Sequence, residues 1–168
     1  DASKNENFQL RNLNLDTDPL VPGQPTSLTT SFDLISSQPE VKAHIKLDTN
    51  IIVDLQKQMY SLESLKLSTV ANSPTMPMQQ SNLNLAADIQ ANMASELVTI
   101  NNLDVNLQAS GTDQNIDAKM SGEVEANLAS QQHRISNLSV SGNIEHAALP
   151  DGKAAFDLTT NMTANLAE

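Results

Sequence analysis

The 168-residue chain has no cysteine and no tryptophan, and it has only one tyrosine and three phenylalanines. The lack of cysteine excludes disulfides and thiolate metal sites. With so few aromatic side chains, any core must be built from Leu, Ile, Val, Ala and Met. Basic residues are also scarce, since nine Lys and Arg stand against 20 Asp and Glu and the net charge is −11. This charge opposes binding to nucleic acid and to anionic membrane surfaces.

The sequence also lacks the motifs of catalysis and metal binding. It contains no nucleophile elbow, P-loop or HExxH motif, and its three histidines do not have the spacing of metal ligands. Asp113, Asn115 and Asp117 resemble the start of a calcium loop, but the Gly and Glu required at its sixth and twelfth positions are missing. No run approaches the roughly 18 apolar residues of a membrane-spanning helix. We therefore predict a protein that is not an enzyme and that binds no metal or cofactor.

Strict alternation of apolar and polar residues is what the chain has in abundance. From Gln114 to Leu128 every second residue is apolar or small, and the residues between them are polar or charged. The same period recurs over residues 43–55, 83–93 and 156–166. A period of two is typical of a β-strand with one buried face, and no segment shows the 3.6-residue period of a helix. The pattern predicts an all-β protein.

Four other segments share a motif in which an apolar residue, any residue, Asn or Ser, Leu, any residue and an apolar residue follow one another: LRNLNL, LESLKL, INNLDV and ISNLSV. Within each of them the apolar alternation slips by one residue, which would send every later side chain to the wrong face. A β-bulge adds one residue and restores the phase. We therefore predict bulges near Asn12, Ser64, Asn102 and Asn137. The alternative is a pair of short strands joined by a kink or a sheet crossing.

Plain and bulged strands alternate from Val41 onward, and their junctions recur 38, 35 and 38 residues apart at Asp54, Asn92, Asn127 and Asn165. Short polar connections predict antiparallel hairpins, and the longer breaks at 16–25 and 71–81 predict loops or edge crossings. Residues 1–168 should thus form one domain, a long antiparallel meander of alternating plain and bulged strands. The sheet could curl into an open trough or into a flattened barrel or sandwich.

The last repeat breaks off after its plain strand, whereas terminal repeats are usually atypical caps. We therefore expect the chain to be a segment of a longer protein. A trough of nine or ten strands would be roughly 45 Å long at the usual strand spacing. On that length it would be one section of a longer conduit rather than a complete bridge between two membranes.

A meander of this kind has one apolar face, and no predicted helix covers it. Its lining is aliphatic and mostly small, which suits a featureless channel better than a pocket shaped for one molecule. An ordinary sandwich core would show the same alternation, so both interpretations remain open at this point. In a trough, acyl chains would lie along a lipid-facing groove formed by Leu85, Ile89, Met93, Val105, Met120 and Val124.

The segment VKAHIKLDTNIIVDLQKQMYSLESLKLSTV, residues 41–70, resembles the β-rich periplasmic region of AsmA-family proteins, as do the FQLRNLNLDTD start and the recurring NLA and INNLDV units. The resemblance implies a non-enzymatic periplasmic segment of a Gram-negative cell-envelope protein, anchored in the inner membrane by a helix outside this chain. It also implies a role in outer-membrane biogenesis, lipid homeostasis and lipid transport, with phospholipid or another envelope lipid as partner. The alternative is a structural or interaction module with a closed core that assists outer-membrane protein assembly through its edge strands.

Overall fold

The computed structural model describes residues 8–166, which form nine antiparallel β-strands in a single sheet. The strands are β1 (Phe8–Thr17), β2 (Thr26–Ser37), β3 (Glu40–Asp54), β4 (Met59–Asn72), β5 (Met78–Asn92), β6 (Leu97–Gly111), β7 (Gln114–Asn127), β8 (Gln132–His146) and β9 (Lys153–Asn165). Each strand pairs with the next one along the chain, so β1 and β9 are the two edges. The described part of the chain contains no helix, and therefore none long and apolar enough to cross a membrane.

The sheet is open, because β1 and β9 do not pair with each other and extensive contacts join only consecutive strands. The all-β meander is therefore confirmed. The alternative of a flattened barrel or sandwich is wrong for residues 8–166, because no second layer of strands packs on the first. Sequence could not decide this point, since an open sheet and a sandwich share the same alternation.

The four predicted bulges lie where the alternation slips, and one further register shift, between Met78 and Gln80 at the start of β5, was not predicted. Between Leu62 and Leu65, β4 advances three residues while its neighbour β5 advances two, from Ile89 to Ala87. Equivalent shifts of register occur in β1, β6 and β8. The extra residue has a left-handed backbone in every case, with φ between 52° and 54° at Asn12, Ser64, Asn102 and Asn137. Asn tolerates this region better than most residues do. The bulge prediction is confirmed, and the alternative of two kinked strands is wrong.

The register assigns each strand residue to one of two faces, because directly opposite partners in a sheet point to the same side. On the face that contains Met120, one row of partners crosses all nine strands: Leu15, Thr30, Leu47, Leu67, Leu85, Val105, Met120, Val140 and Leu158. We call this side of the sheet the apolar face and the opposite side the polar face. The apolar face carries no Asp, Glu, Lys or Arg among the paired strand residues described.

The best-buried apolar residues lie where bulged and plain strands meet. Leu65 of β4 is 9% exposed, and its cross-strand partner Ala87 of β5 is 4% exposed. Gly122 of β7 is the cross-strand partner of Leu103, the residue that follows the bulge of β6. Small residues on plain strands thus lie opposite the leucines that follow the bulges of β4 and β6. No described side chain is less than 2% exposed, which is the expected result for a sheet without a second layer.

Three hairpin turns of four residues connect the plain strands β3, β5 and β7 to the bulged strands that follow. In the turn after β5, Oδ1 of Asn92 accepts hydrogen bonds from the backbone N–H groups of Ala94 and Ser95, both at 3.1 Å. Asp54 and Asn127 accept equivalent bonds in the other two turns. An Asp or Asn side chain that bonds its own following backbone is a common way to start a turn. These bonds explain why the strands end at these residues.

The predicted strand ends need correction by one residue. Leu55, Met93 and Leu128 continue the apolar alternation but lie in the turns, and Leu166 lies beyond the end of β9. The predicted loops at 16–25 and 71–81 are shorter in the structure, at 18–25 and 73–77, because β1, β4 and β5 extend into them. Of the fourth predicted junction, Ala167 and Glu168 lie outside the described residues.

Candidate functional site

The apolar face is the candidate functional site, because no described part of the chain covers it. Even in the middle of the sheet its side chains are mostly half-buried, and towards the edges Leu10 and Met162 are 56% and 54% exposed. Soluble proteins rarely leave a contiguous apolar surface of this extent in water unless it binds something. The face spans eight strand spacings of about 4.8 Å, or about 38 Å.

Five of the six predicted groove residues lie together on this face. Leu85, Val105 and Met120 are successive partners in one row across β5, β6 and β7. Ile89 and Val124 are the two cross-strand partners of Ile100 in a second row. This row lies two residues closer to the hairpin turns than Ala87 does. Their side chains are half-buried, so each keeps part of its surface available for contact.

Met93 is the exception among the predicted residues. It occupies the first position of the turn after β5, where its side chain is 49% exposed. Its backbone N–H donates to the carbonyl oxygen of Gln58 in the preceding turn at 2.9 Å. The assignment of Met93 to the strand was wrong, because strand pairing ends at Asn92 and the alternation alone does not show where a turn begins.

Sequence reasoning missed the contribution of β2 to the apolar face. Leu28, Phe32 and Leu34 alternate along this strand and pair with Thr49, Ile45 and Ala43 of β3. The signal was present as a period of two between Thr26 and Ser36. It was weak because polar Thr and Ser occupy several of the inward positions, which blurs the contrast between the faces.

Groups that can form hydrogen bonds lie at the margins of the apolar face as well as within it. Tyr60 and His133 belong to the row nearest the hairpin turns, and each is the partner of an alanine, Ala91 and Ala126 respectively. His146 pairs with Gln114 at the opposite margin. An amphiphile whose tail lies across the middle of the face could therefore place a polar end near either margin.

The polar face carries a separate recess of about 540 Å³. Four of its lining residues, Asn82, Gln108, Asp117 and Asn143, are successive cross-strand partners on that face. Amide and carboxylate side chains line the recess together with Val70, Ala109 and Ile116. It is therefore not the surface that the sequence analysis assigned to acyl chains.

A carboxylate on the polar face connects two of the bulges. Oδ1 of Asp88 in β5 accepts from the backbone N–H of Ser64 in β4 at 2.7 Å, and Oδ2 accepts from Nδ2 of Asn102 in β6 at 2.7 Å. The hydrogen bond from Asn102, and next that from Ser64, lower the pKa of Asp88 below its ordinary value of 3.8, although desolvation opposes them. Asp88 thus holds the bulged strands on both of its sides.

Two other plain strands have a similar group beside a bulge. Asp33 of β2 accepts from Nδ2 of Asn12 and also bonds Nδ1 of His44 at 2.7 Å. The hydrogen bond with His44 is the larger of the two that lower the pKa of Asp33. In β9, Oδ1 of Asn161 accepts from the backbone N–H of Asn137 at 2.7 Å. The sequence signal for these contacts is an Asp or Asn that recurs on plain strands opposite the bulge motif.

Within residues 8–166 no three His, Asp or Glu side chains are arranged to hold a metal ion. Asp113 lies in the turn between β6 and β7, and Asn115 and Asp117 lie in β7.

No family model, curated protein or solved structure matches the chain. A function must therefore be argued from the geometry of the sheet and from the residues themselves.

Proposed function

We propose that this chain binds or conducts phospholipid acyl chains along its apolar face. The observation that carries the proposal is an uncharged aliphatic surface that crosses nine strands and has no covering layer in residues 8–166. A surface of this size needs an apolar partner in water. Lipid tails fit it better than a single shaped ligand, because its side chains are mainly aliphatic and only four Phe or Tyr residues lie on it, namely Phe8, Phe32, Tyr60 and Phe156.

Burial of the tail supplies the driving force. Each methylene group removed from water contributes about 0.8 kcal/mol. The rows of Leu, Ile, Val and Met repeat from strand to strand, so a tail meets much the same surroundings at successive positions. Movement along the sheet would therefore require no chemical step. Head groups would stay in water at the margins, where Tyr60 and His133 offer hydrogen bonds.

The cellular setting that we propose follows from the resemblance of residues 41–70 to the AsmA family. The chain would be a periplasmic segment of a protein anchored in the inner membrane of a Gram-negative bacterium. It would contribute to outer-membrane biogenesis and lipid homeostasis as one section of a longer lipid-conducting path. The lack of catalytic motifs agrees with a non-enzymatic role.

Contact with outer-membrane assembly proteins is a second candidate function. The specific observation in its favour is the pair of open edges at β1 and β9, since extended segments of other proteins can add to such edges. Binding of such proteins at the edge strands does not require a closed core.

Photocrosslinking at neighbouring positions tests the lipid proposal. A photoreactive residue replaces Ile89, which pairs with Leu62 and Ile100 on the apolar face, or Gln90, which pairs with Ser61 and Thr99 on the polar face. The purified chain is irradiated with phosphatidylethanolamine-rich vesicles, and adducts are identified by mass spectrometry. We expect lipid adducts at position 89 and none at position 90. Equal labelling at both positions, or none at either, would contradict the proposal.

A further inference from the structure

The β9 edge has few of the features that usually protect an exposed strand, since its only charged residues are Lys153 and Asp157. Natural edge strands are commonly shortened, bulged or supplied with Pro and Lys, which prevents other strands from adding to them. β9 has 13 residues and contains no Pro and no bulge, and its single Lys is its first residue, Lys153. The opposite edge, β1, carries a bulge at Asn12 and an adjacent Arg11. The two edges are therefore not equivalent, and β9 is the one open to pairing.

Side chains on the apolar face of β9 are more exposed than their partners on β8. Leu158 and Met162 lie on the apolar face and are both 54% exposed. Their inner partners, Val140 and Ile135 of β8, have a strand on each side and are half-buried. A further strand with apolar residues at alternate positions would continue the rows of the apolar face across this edge.

The order of the strands indicates what kind of strand fits. From β3 to β9, strands with and without a bulge in the middle alternate, and β5 has one further register shift at its start, between Met78 and Gln80. Asp88 of the plain strand β5 accepts hydrogen bonds from the bulge residue on each side. Asn161 occupies the corresponding place in the plain strand β9, where its Oδ1 accepts from Asn137 of β8. Its Nδ2 group donates to no described atom on the outer side of the sheet.

We propose that the outer edge of β9 is a binding site for an extended polypeptide segment from outside residues 8–166 that pairs antiparallel and carries a bulge opposite Asn161. The segment would have the sequence pattern that recurs in this chain, with an Asn or Ser directly before a leucine and apolar residues in alternation on either side. The side-chain oxygen of its bulge residue would accept a hydrogen bond from Nδ2 of Asn161, and its apolar side chains would extend the apolar face. The site depends on the described edge alone and not on lipid binding.

A second copy of the chain does not satisfy these requirements. The sheet has an odd number of strands, so β1 and β9 run in the same direction. A second copy with its apolar face on the same side would place its β1 parallel to β9, whereas every pair in the sheet is antiparallel. Turning that copy over makes the pair antiparallel but puts the two apolar faces on opposite sides. Pairing of β9 with β9 keeps the faces together but brings no bulge to Asn161.

Two synthetic peptides test the proposal by fluorescence anisotropy with the purified chain. The first has the sequence of residues 132–146, a natural bulged partner of β9, and the second is the same peptide without Asn137. Removing Asn137 leaves the apolar alternation intact and eliminates only the bulge. We expect the bulged peptide to bind about fivefold more tightly, which corresponds to one additional hydrogen bond. A third peptide, with Ser replacing Leu138, Val140 and Ile144, should not bind.

Protein variants connect this preference with Asn161. In Asn161→Ala the two peptides should bind with equal affinity, whereas the matched control Asn143→Ala on β8 should retain the difference. Because the chain has no cysteine, a single Cys can also locate the peptide. Thr159→Cys on β9 should form a disulfide with a Cys-bearing bulged peptide, and Asn14→Cys on β1 should not.

Three results would overturn the proposal. Equal binding of the bulged and unbulged peptides to the unaltered protein would show that the edge does not select a bulge. Equal crosslinking at positions 159 and 14 would show that β9 is not the preferred edge. A dimer seen by sedimentation, with a disulfide between two Thr159→Cys chains, would identify a second copy as the occupant.

Discussion

Leu65 in the middle of the sheet and Leu158 at its edge lie on the same face and in strands of similar length, yet they are 9% and 54% exposed. Both sites lack a second layer above them. The difference comes from neighbours within the sheet, since Leu65 lies between β3 and β5 and packs on Ala87, whereas Leu158 has a strand on one side only. In this molecule burial is therefore produced mainly within one layer, by in-plane neighbours and by the fit of leucines onto small residues.

The largest expected effect comes from deleting single residues in β4. Without Ser64, the residues Leu62, Leu65 and Leu67 alternate regularly, so the strand keeps its faces and loses only the bulge. Without Lys66, two leucines become adjacent and one must turn to the polar face. We expect the Ser64 deletion to remain folded and the Lys66 deletion to lose more than about 4 kcal/mol of stability. Thermal unfolding followed by circular dichroism distinguishes them.

An equivalent deletion in the edge strand β1 is the control for the comparison between the Ser64 and Lys66 deletions. Removing Asn14 from β1 disturbs alternation in a strand with one neighbour, so it should cost less than removing Lys66. If removal of Ser64 unfolds the chain as fully as removal of Lys66 does, the bulge itself is needed for stability. Regular alternation of the leucines would then not be enough to keep β4 folded.

Truncation of single leucines to alanine tests the comparison between the middle and the edge of the sheet with a smaller change than a deletion. Leu65→Ala truncates a residue that is only 9% exposed and has neighbours on both sides, so we expect a loss of about 2–3 kcal/mol. Leu158→Ala should cost less than about 1 kcal/mol, because half of its surface is already in water. Urea denaturation with a constant m-value measures both. Similar losses at the two positions would mean that the edge is covered in solution.

The sequence predicted the faces and the bulges because both follow from local rules. Alternation in β7 assigns each side chain to a side, and a slip at an Asn or Ser next to Leu requires an extra residue with a left-handed backbone. Whether the sheet stays open could not be predicted, because closure depends on how far nine strands curl and alternation does not record curvature. Met93 shows a second property that alternation cannot predict, namely the end of a strand, because the pattern can continue into a turn after strand pairing has ended.

The contacts of Asp88 depend on register between strands that are distant in sequence. Ser64 and Asn102 lie 24 and 14 residues from Asp88, and only the paired register brings all three together. Single-strand patterns contain no such information. The recurrence of Asp or Asn on the polar face beside each bulge was nevertheless visible in the sequence, and it could have indicated a contact once antiparallel neighbours were assumed.

Asp88→Ala should have a smaller effect than the loss of Leu65, because it removes hydrogen bonds at a largely hydrated surface. We expect a loss of about 1.5 kcal/mol, since the backbone of Ser64 and the amide of Asn102 both lose their acceptor. Asn161→Ala at the edge removes one such bond and should cost about 0.5–1 kcal/mol. The matched control Asn84→Ala, on the polar face of β5, should change stability very little. Equal losses for Asp88→Ala and Asn84→Ala would show that the bulges do not need this carboxylate.

The smallest expected effect is a dependence of stability on pH that originates at Asp88. Hydrogen bonds hold the pKa of this carboxyl below 3.8, so its contribution to stability is present above that value. The contribution is lost as the pH falls through 3.8 towards the lower pKa of the folded state. Asp88→Asn should therefore lose less stability than the unaltered chain between pH 6 and pH 3, as measured by urea midpoints. Asp113→Asn, which removes a carboxyl in the turn after β6, is the matched control and should follow the unaltered chain. An unchanged pH dependence in Asp88→Asn would mean that protonating this carboxyl does not weaken its contacts with the bulges in the middle of the sheet.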